Sequence, residues 1–229
     1  MGTLKELTAV LPTLNAAAVL ARTLAALRGE VADLVVADGG SADATAAIAA
    51  AAGARLVEAQ RGRGSQLAAG AAAVATPWIL VLHADTQPGP GWRAAAEAFM
   101  ADPANARRAA YFRFALDDAS PQARRLERAV AWRCRRLGLP YGDQGLLIAR
   151  DFLVALGGYH PMPIMEDVDL VRRIGRARLV GLDVAFTTSA ARWRQDGWLA
   201  RSARNLGCLG LWFLGVPPAR IARLYAGRR

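Results

Sequence analysis

The chain has 229 residues, 54% of them apolar, and 29 basic against 19 acidic side chains give a net charge of +10 at pH 7. That length suits one large domain or a domain with an appendage, with ample apolar residues for a core. Two distant cysteines give no disulfide framework, no run approaches the ~18 apolar residues of a membrane span, and no zinc-finger spacing, RNP-type motif or lysine-rich arm points to nucleic acid.

Residues Met1 to Glu6 carry no signal-peptide apolar region, so a cytoplasmic location is expected. The first half then alternates strand-like and helix-like runs. Leu7–Leu14 reads as a strand and Ala16–Arg28 as a helix, followed by strand Val31–Asp38. Ser41 is an expected N-cap for the Ala-rich helix Ala42–Ala52. Ala54–Glu58 is a short strand, Ser65–Ala75 a helix, and Trp78–Leu82 a fourth strand, apolar enough to be buried on both faces. Strands alternating with helices of this length predict βαβ units, a parallel sheet, and strand ends gathered on one edge. Beyond Pro90 the pattern loosens. It gives a helix at Ala94–Met100, a strand at Ala109–Leu116, a basic amphipathic helix at Pro121–Leu137 and a strand at Gly145–Ala149. Helices at Asp151–Leu156 and Glu166–Ile174, a strand at Leu179–Thr187 and a helix at Trp198–Val216 follow, and a last basic helix comes after Pro217-Pro218.

The charge is uneven. Residues 1–115 carry 10 basic and 9 acidic side chains, residues 116–229 carry 19 and 10, and all but one of the basic residues are arginine. Arginine-rich codon usage on a solvated surface explains this as readily as an anionic partner met by the C-terminal half.

Four strand ends carry polar residues: Pro12-Thr13-Leu14-Asn15, Asp38-Gly39-Gly40-Ser41-Ala42-Asp43, Gln60-Arg61-Gly62-Arg63-Gly64-Ser65 and His83-Ala84-Asp85. Ligands of open α/β sheets bind at the carboxyl ends of the strands. His83 and Asp85 are two apart on extended backbone and share a side, so imidazole and carboxylate can hold a divalent cation, which usually serves a phosphate. Asp38 could accept a hydrogen bond from a base or ribose, and Arg61 and Arg63 before a helix N-terminus suit a diphosphate. Each has a plain structural use as well: caps for Asn15 and Ser41, a turn for Asp38, a solvated loop for the arginines. Their convergence on one edge favours a shared site. No G-x-G-x-x-G follows the first strand and there is no P-loop. Further on, Glu166-Asp167 opens a helix, where acids suit the dipole. The turn-rich stretch from Gly157-Gly158-Tyr159 through His160–Pro163 could bring the pair to the crevice, where a carboxylate can act as general base.

These motifs in this order resemble a family 2 inverting glycosyltransferase of GT-A fold over about residues 7–195. Gly142-Asp143-Gln144-Gly145 and Arg192-Trp193-Arg194-Gln195-Asp196-Gly197 fit best a compact bacterial subfamily associated with radical-SAM/selenodomain proteins. The resemblance implies an α/β GT-A fold with a mostly parallel sheet flanked by helices. Residues 1–195 would form the transferase domain, nucleotide-binding over about 1–90 and acceptor-binding over about 91–195, with 196–229 a C-terminal helical segment. It implies a UDP- or GDP-sugar donor, a hydroxyl acceptor, and Mn²⁺ or Mg²⁺. Pro12, Thr13, Asn15, Asp38, Gly40 and Ala84 would line the nucleotide pocket, with Arg63 near the phosphates. Asp85, matching the last acid of the family's D-x-D motif, would ligate metal with His83. Asp167 would be the base and Glu166 its support, with Asp143, Gln144, Trp193 and Arg194 as donor or acceptor contacts. The chain departs from the pattern where His83 replaces the first D-x-D acid and Gly39 the second acid of an Asp-Asp pair. A nucleotidyltransferase would want a Gly-rich basic loop after strand one, which is absent here. A non-catalytic nucleotide-binding or membrane-peripheral protein is the reading from another class.

The stretch Asn205–Val216 is almost wholly apolar, with Arg201 and Arg204 before it and Arg220 and Arg223 after. At about 12 residues it is too short to span a bilayer. A core helix is the favoured reading, with a homodimer seam and peripheral contact with the inner membrane face as the others.

Overall fold

A computed structural model describes residues 4–226 of the chain. The strands are β1 (Leu4–Thr13), β2 (Val31–Asp38), β3 (Arg55–Glu58), β4 (Trp78–Val81), β5 (Thr86–Pro88), β6 (Ala109–Leu116), β7 (Leu146–Ala149) and β8 (Leu179–Thr188). The helices are α1 (Ala17–Leu27), α2 (Thr45–Ala51), α3 (Arg63–Ala72), α4 (Trp92–Ala101), α5 (Pro121–Leu137), α6 (Arg150–Ala155), α7 (Glu166–Ile174), α8 (Ala191–Asp196), α9 (Trp198–Phe213) and α10 (Pro218–Ala226).

The described strands form one sheet in the order β3-β2-β1-β4-β7-β6-β8-β5. β1 pairs in parallel with β2 and β4, and β2 with β3, as the βαβ alternation predicts. β7 runs antiparallel to both β4 and β6, which makes the sheet mixed. β6, the strand of the looser second half, pairs in parallel with β8. The carboxyl ends of β1, β2, β4, β6 and β8 therefore share one edge with the start of β7. Pro12 sits inside central β1 without breaking a ladder, because the pairing to β4 stops at Val10.

Strand side chains alternate between two cores. Leu7, Ala9, Leu11, Val36, Leu80 and Phe112 face α1, α2 and α4, while Val10, Val35, Ile79 and Ile148 face α3, α6 and α7. A third cluster joins Val168 and Val171 of α7 to Cys208 and Leu209 of α9 and Ile221 of α10.

Several boundaries differ from the sequence expectation. The second helix starts at Thr45, not Ala42, because the Asp43 carboxylate bonds the Thr45 backbone and hydroxyl and turns the chain first. Ser41 caps no helix. β5, three residues ending in Pro88, shows no sequence periodicity; it exists because its edge pairs with β8. α8 lies inside a run read only as a motif, and α9 stops at Phe213 instead of Val216.

Candidate active site

The β1 and β2 ends are laced together. Asp38 is buried, and its carboxylate accepts from the Thr13 hydroxyl (2.9 Å), the Ser41 hydroxyl (2.5 Å) and the backbone N–H groups of Gly40 (3.1 Å) and Ser41 (2.7 Å). Burial alone would raise its pKa, but the donors of Ser41, Thr13 and Gly40 prevail and hold it below the usual range. A carboxylate offers about four lone-pair sites, so Asp38 is filled by its own loop and offers nothing free to a base or ribose in this state. Asn15, at φ +51°, accepts from the Ala42 N–H (2.9 Å) while its own N–H donates to the Ser41 hydroxyl (2.8 Å). Thr13 is buried, and the Ala84 carbonyl accepts from the Thr23 hydroxyl at 2.6 Å. Of this set, exposed Asn15 and Gly40 present surface to solvent, whereas Pro12, Thr13 and Ala84 form the wall behind it.

Gln66, unremarked in the sequence, ties these ends from behind by donating to the carbonyls of Thr13 (2.5 Å) and Ala37 (3.2 Å). It also accounts for Gly39, because a Cβ there would meet the Gln66 amide at 3.0 Å.

The third strand end is used differently from the sequence reading. Arg63 opens α3 and turns to α7, where its Nε lies 2.7 Å from Glu166 Oε1 and its Nη2 3.5 Å from Oε2. The Nε contact is off the N–H axis, so Oε1 is ion-paired without a hydrogen bond. Arg63 thus stands beside the crevice as the partner of Glu166, not free for donor phosphates. Glu166 is 1% exposed. Burial pushes its carboxyl up to about 7 against the pull of Arg63, with Asp167 adding to the rise. Burial disfavours the Arg63 charge in turn, but Glu166 and Asp167 outweigh it and hold the guanidinium protonated. Gly64 allows contact between backbones: its N–H donates to the Met162 carbonyl at 3.0 Å, and a Cβ would come within 2.3 Å of the His160 carbonyl. The glycines around Arg63 seat the 157–165 loop on α3; they make no phosphate cradle.

That loop ends in Met165, at φ +70°, a strained setting for a non-glycine side chain. The twist starts α7 so that Glu166 points inward to Arg63 and Asp167 toward β4. Asp167 Oδ2 accepts from the Gly142 N–H (3.0 Å) and Oδ1 from the Val168 N–H (2.8 Å).

Around Asp167 stand His83, Asp85 and Asp143. A cavity of about 20 Å³, room for roughly one water, is lined by His83, Tyr141, Gly142, Tyr159 and Asp167 among others. Burial and then Arg63 push His83 down to about 4, against Asp85 and Asp167, so its imidazole is neutral at physiological pH. Its Nε2 packs on Gly142, where a Cβ would stand only 2.6 Å away. Asp143 Oδ1 is buried with no hydrogen-bond partner. Burial drives that carboxyl up to about 6, with Arg133 opposing and Asp167 and Asp85 adding. Asp85 is only partly buried, and among the described residues its one side-chain hydrogen-bond partner is the Thr188 hydroxyl at 3.3 Å.

Whether this set suits a divalent cation follows from those partners. Among the described residues no three His, Cys, Asp or Glu side chains come together as a cage. His83 Nε2 faces protein, and Asp85 is the more open of the two side chains. The orphaned Asp143 oxygen and the free valences of Asp85 fit a cation completed by substrate phosphate and water, which is the habit of Mg²⁺ and its relatives.

Three contact expectations land elsewhere. Gln144 is buried, its amide donating to the Phe112 carbonyl (3.1 Å) and accepting from Cys134 (3.1 Å) and the Tyr141 N–H (3.3 Å), so it builds the turn before β7. Trp193 stacks on Trp198 at 5.9 Å, and Arg194 pairs with Asp118 at 2.9 Å. Their neighbour Arg192 is exposed, acts electrostatically on His83, and has no hydrogen bond or ion pair among the described residues. The sequence flagged the segment but not this residue.

Comparison with known proteins agrees with this layout. The glycosyl transferase family 2 model matches residues 8–142. No curated protein matches the chain by sequence. Among solved structures, glucosyl-3-phosphoglycerate synthase from Mycobacterium tuberculosis with Mn²⁺, UDP and glucosyl-3-phosphoglycerate superposes with TM-score 0.64 at 20% identity, covering 93% of this chain and 81% of that one. The same enzyme with Mg²⁺ and UDP gives 0.62 at 21%, with 93% and 80% covered. At that identity the likeness is one of fold, and the fold is GT-A-like.

Proposed function

The chain belongs to glycosyl transferase family 2, and on that premise we propose that it moves a sugar from a nucleoside diphosphate to a hydroxyl acceptor with inversion, Asp167 being the base. The observation that carries this is the position of Asp167. Two backbone N–H groups fix its carboxylate in the wall of a cavity that His83 also lines, and each oxygen keeps a lone pair. Asp167 takes the proton from the acceptor hydroxyl as its oxygen bonds the anomeric carbon. The bond from that carbon to the diphosphate oxygen breaks on the opposite face, and the nucleoside diphosphate leaves with the electron pair.

Asp85, with Asp143 nearby, would hold a divalent cation, which when bound neutralises charge developing on the diphosphate. Exposed Arg192, unpaired among the described residues, would add a cationic contact to the same phosphates. Glu166 and Arg63 orient Asp167 by pinning the start of α7 to α3. The turn 142–144, which carries the motif pointing to the radical-SAM-associated subfamily, presents Asp143 and the Gly142 N–H. The Mycobacterium tuberculosis enzyme has been crystallised with UDP-glucose and Mn²⁺, which supports trying UDP-sugars first.

The test is turnover of a panel of nucleotide sugars with Mn²⁺ or Mg²⁺, followed by chelation. Transfer or slow donor hydrolysis that is lost with EDTA and in both Asp85→Ala and Asp167→Ala is expected. Full activity in both variants would sink the mechanism.

A further inference from the structure

We propose that the outward face of α9, with the groove beside it, is a docking surface for an anionic phospholipid bilayer. α9 is turned opposite to an ordinary surface helix. Its arginines point into the protein: Arg201, 9% exposed, pairs with Asp196 at 2.7 Å and lies over Trp193, and Arg204 joins the same carboxylate beneath Tyr225. Its fully exposed positions are all apolar, with Ser202 the partly exposed polar residue at the edge of that face. Leu199 (87% exposed), Leu206 (64%) and Phe213 (48%) recur every seven residues, with Ala203 and Gly210 between them and Leu214 just beyond. Seven residues are two helical turns, so these side chains form one stripe about 21 Å long from Leu199 to Phe213. A solvated helix normally carries charge there, and a contiguous exposed apolar face marks an interaction site.

The border of the stripe identifies its occupant. Arg172 on α7 and Arg176 after it border the stripe, and they, like the exposed Arg135 and Arg136 of α5 and Arg220 and Arg223 of α10 on the neighbouring helices, have no carboxylate partner among the described residues. Between α5, α7 and α9 lies a groove of about 480 Å³, floored by Leu139, Val171 and Leu209 and edged by Arg172 and Arg176. The Arg172 guanidinium rests over the Phe213 ring at 5.0 Å. Trp132 and Leu137, both about half exposed, stand among the α5 arginines; an amphipathic aromatic such as Trp132 favours the water–lipid boundary. A second copy seated symmetrically on this face would set arginine against arginine. Anionic headgroups complement the cations while the stripe enters the acyl boundary. No described helix is long and apolar enough to cross the membrane, so the contact is peripheral. Val171 walls both this groove and the cavity at Asp167. The docked face and the proposed base therefore share helix α7.

The experiment is co-sedimentation of the full chain with vesicles, equimolar phosphatidylglycerol and phosphatidylcholine against phosphatidylcholine alone, at low and high salt. Binding to the anionic vesicles, weakened at least about tenfold on the neutral ones and by salt, is expected. Leu206→Asp with Phe213→Asp, and separately Arg172→Gln with Arg176→Gln, should each weaken it by about tenfold or more. Thermal unfolding should shift far less than binding, since Leu206, Arg172 and Arg176 face water and Phe213 is half exposed. Equal binding to both vesicle types, no binding, or a stable dimer dissociated by Leu206→Asp with vesicles left unbound would each overturn the proposal. The readout is binding alone, so it is decided separately from the transfer reaction.

Discussion

At the residue scale the carboxylates divide by what already satisfies them. Asp38 is filled by four donors, and its pKa is depressed; Asp167 is oriented by two and left open. Asp38→Asn should destabilise the fold by about 1.5–3 kcal/mol at pH 7, the worth of hydrogen bonds to a buried charge. Because the folded-state pKa lies below the unfolded one, this contribution is present above the ordinary aspartate range and lost as pH falls through the folded value. The gap between variant and parent in chemical denaturation should therefore close under strong acid; a gap independent of pH would show that the charge is not what matters. Asp167→Asn removes a proton acceptor from a site whose scaffold is backbone. Its kcat should fall by about 10²–10⁴ with donor KM and thermal midpoint nearly unchanged, and a loss confined to KM would place Asp167 in binding instead.

The element that organises the crevice is the junction of α3, the 157–165 loop and α7. Gly64 holds the loop against α3, and the Arg63–Glu166 pair holds α3 against α7. Gly64→Ala should cost about 1–3 kcal/mol, the range for overpacking, because the atoms it meets are backbone that cannot rotate away. Activity should drop further than stability accounts for, since Met165 and Asp167 follow that loop; parental kcat in a destabilised variant would argue against the coupling. Arg63→Met leaves Glu166 buried without its cation. Such losses run to about 3–5 kcal/mol in full burial; Arg63 is two-fifths exposed, so about 1–2 kcal/mol is expected. Glu166 is raised in the folded state, so its contribution is most favourable below the unfolded value and diminishes as pH rises through about 7. Without Arg63 the rise is larger. The penalty should grow from mildly acidic to neutral pH in urea titrations, and Arg63→Met with Glu166→Gln should recover most of it.

For the whole molecule, the C-terminal helices complete the back of the site. Cys208, Leu209 and Ile221 pack on Val168 and Val171 of α7, the helix that carries Asp167. Deleting 196–229 should therefore lower the thermal midpoint and the activity together; a fragment 1–195 that unfolds like the full chain would make this segment a separate appendage. The segment is also where the sequence reading was least decided, since α9 buries one face and bares the other, and composition alone does not say which residues lie on which.

The local pattern of the chain was enough for the four parallel strands and their shared edge, with Asp38, His83 and Asp85 at the strand ends along it. Buried strands, glycine breaks and capping acids leave signals in neighbouring residues. Which side chains are free was decided only by the fold. Asp38 is saturated by Thr13, Gly40 and Ser41, Arg63 is taken by a glutamate 103 positions away, and Gln144 is consumed in part by β6, whereas among the described residues Asp143 Oδ1 and Arg192 have no hydrogen-bond partner. Partners distant in sequence meet through tertiary packing, and a hydrogen-bonding group's availability depends on those partners, not on its neighbours along the chain. The same reason governs α9: twelve apolar residues could bury either side, and the Asp196–Arg201–Arg204 contacts turn the leucine stripe outward.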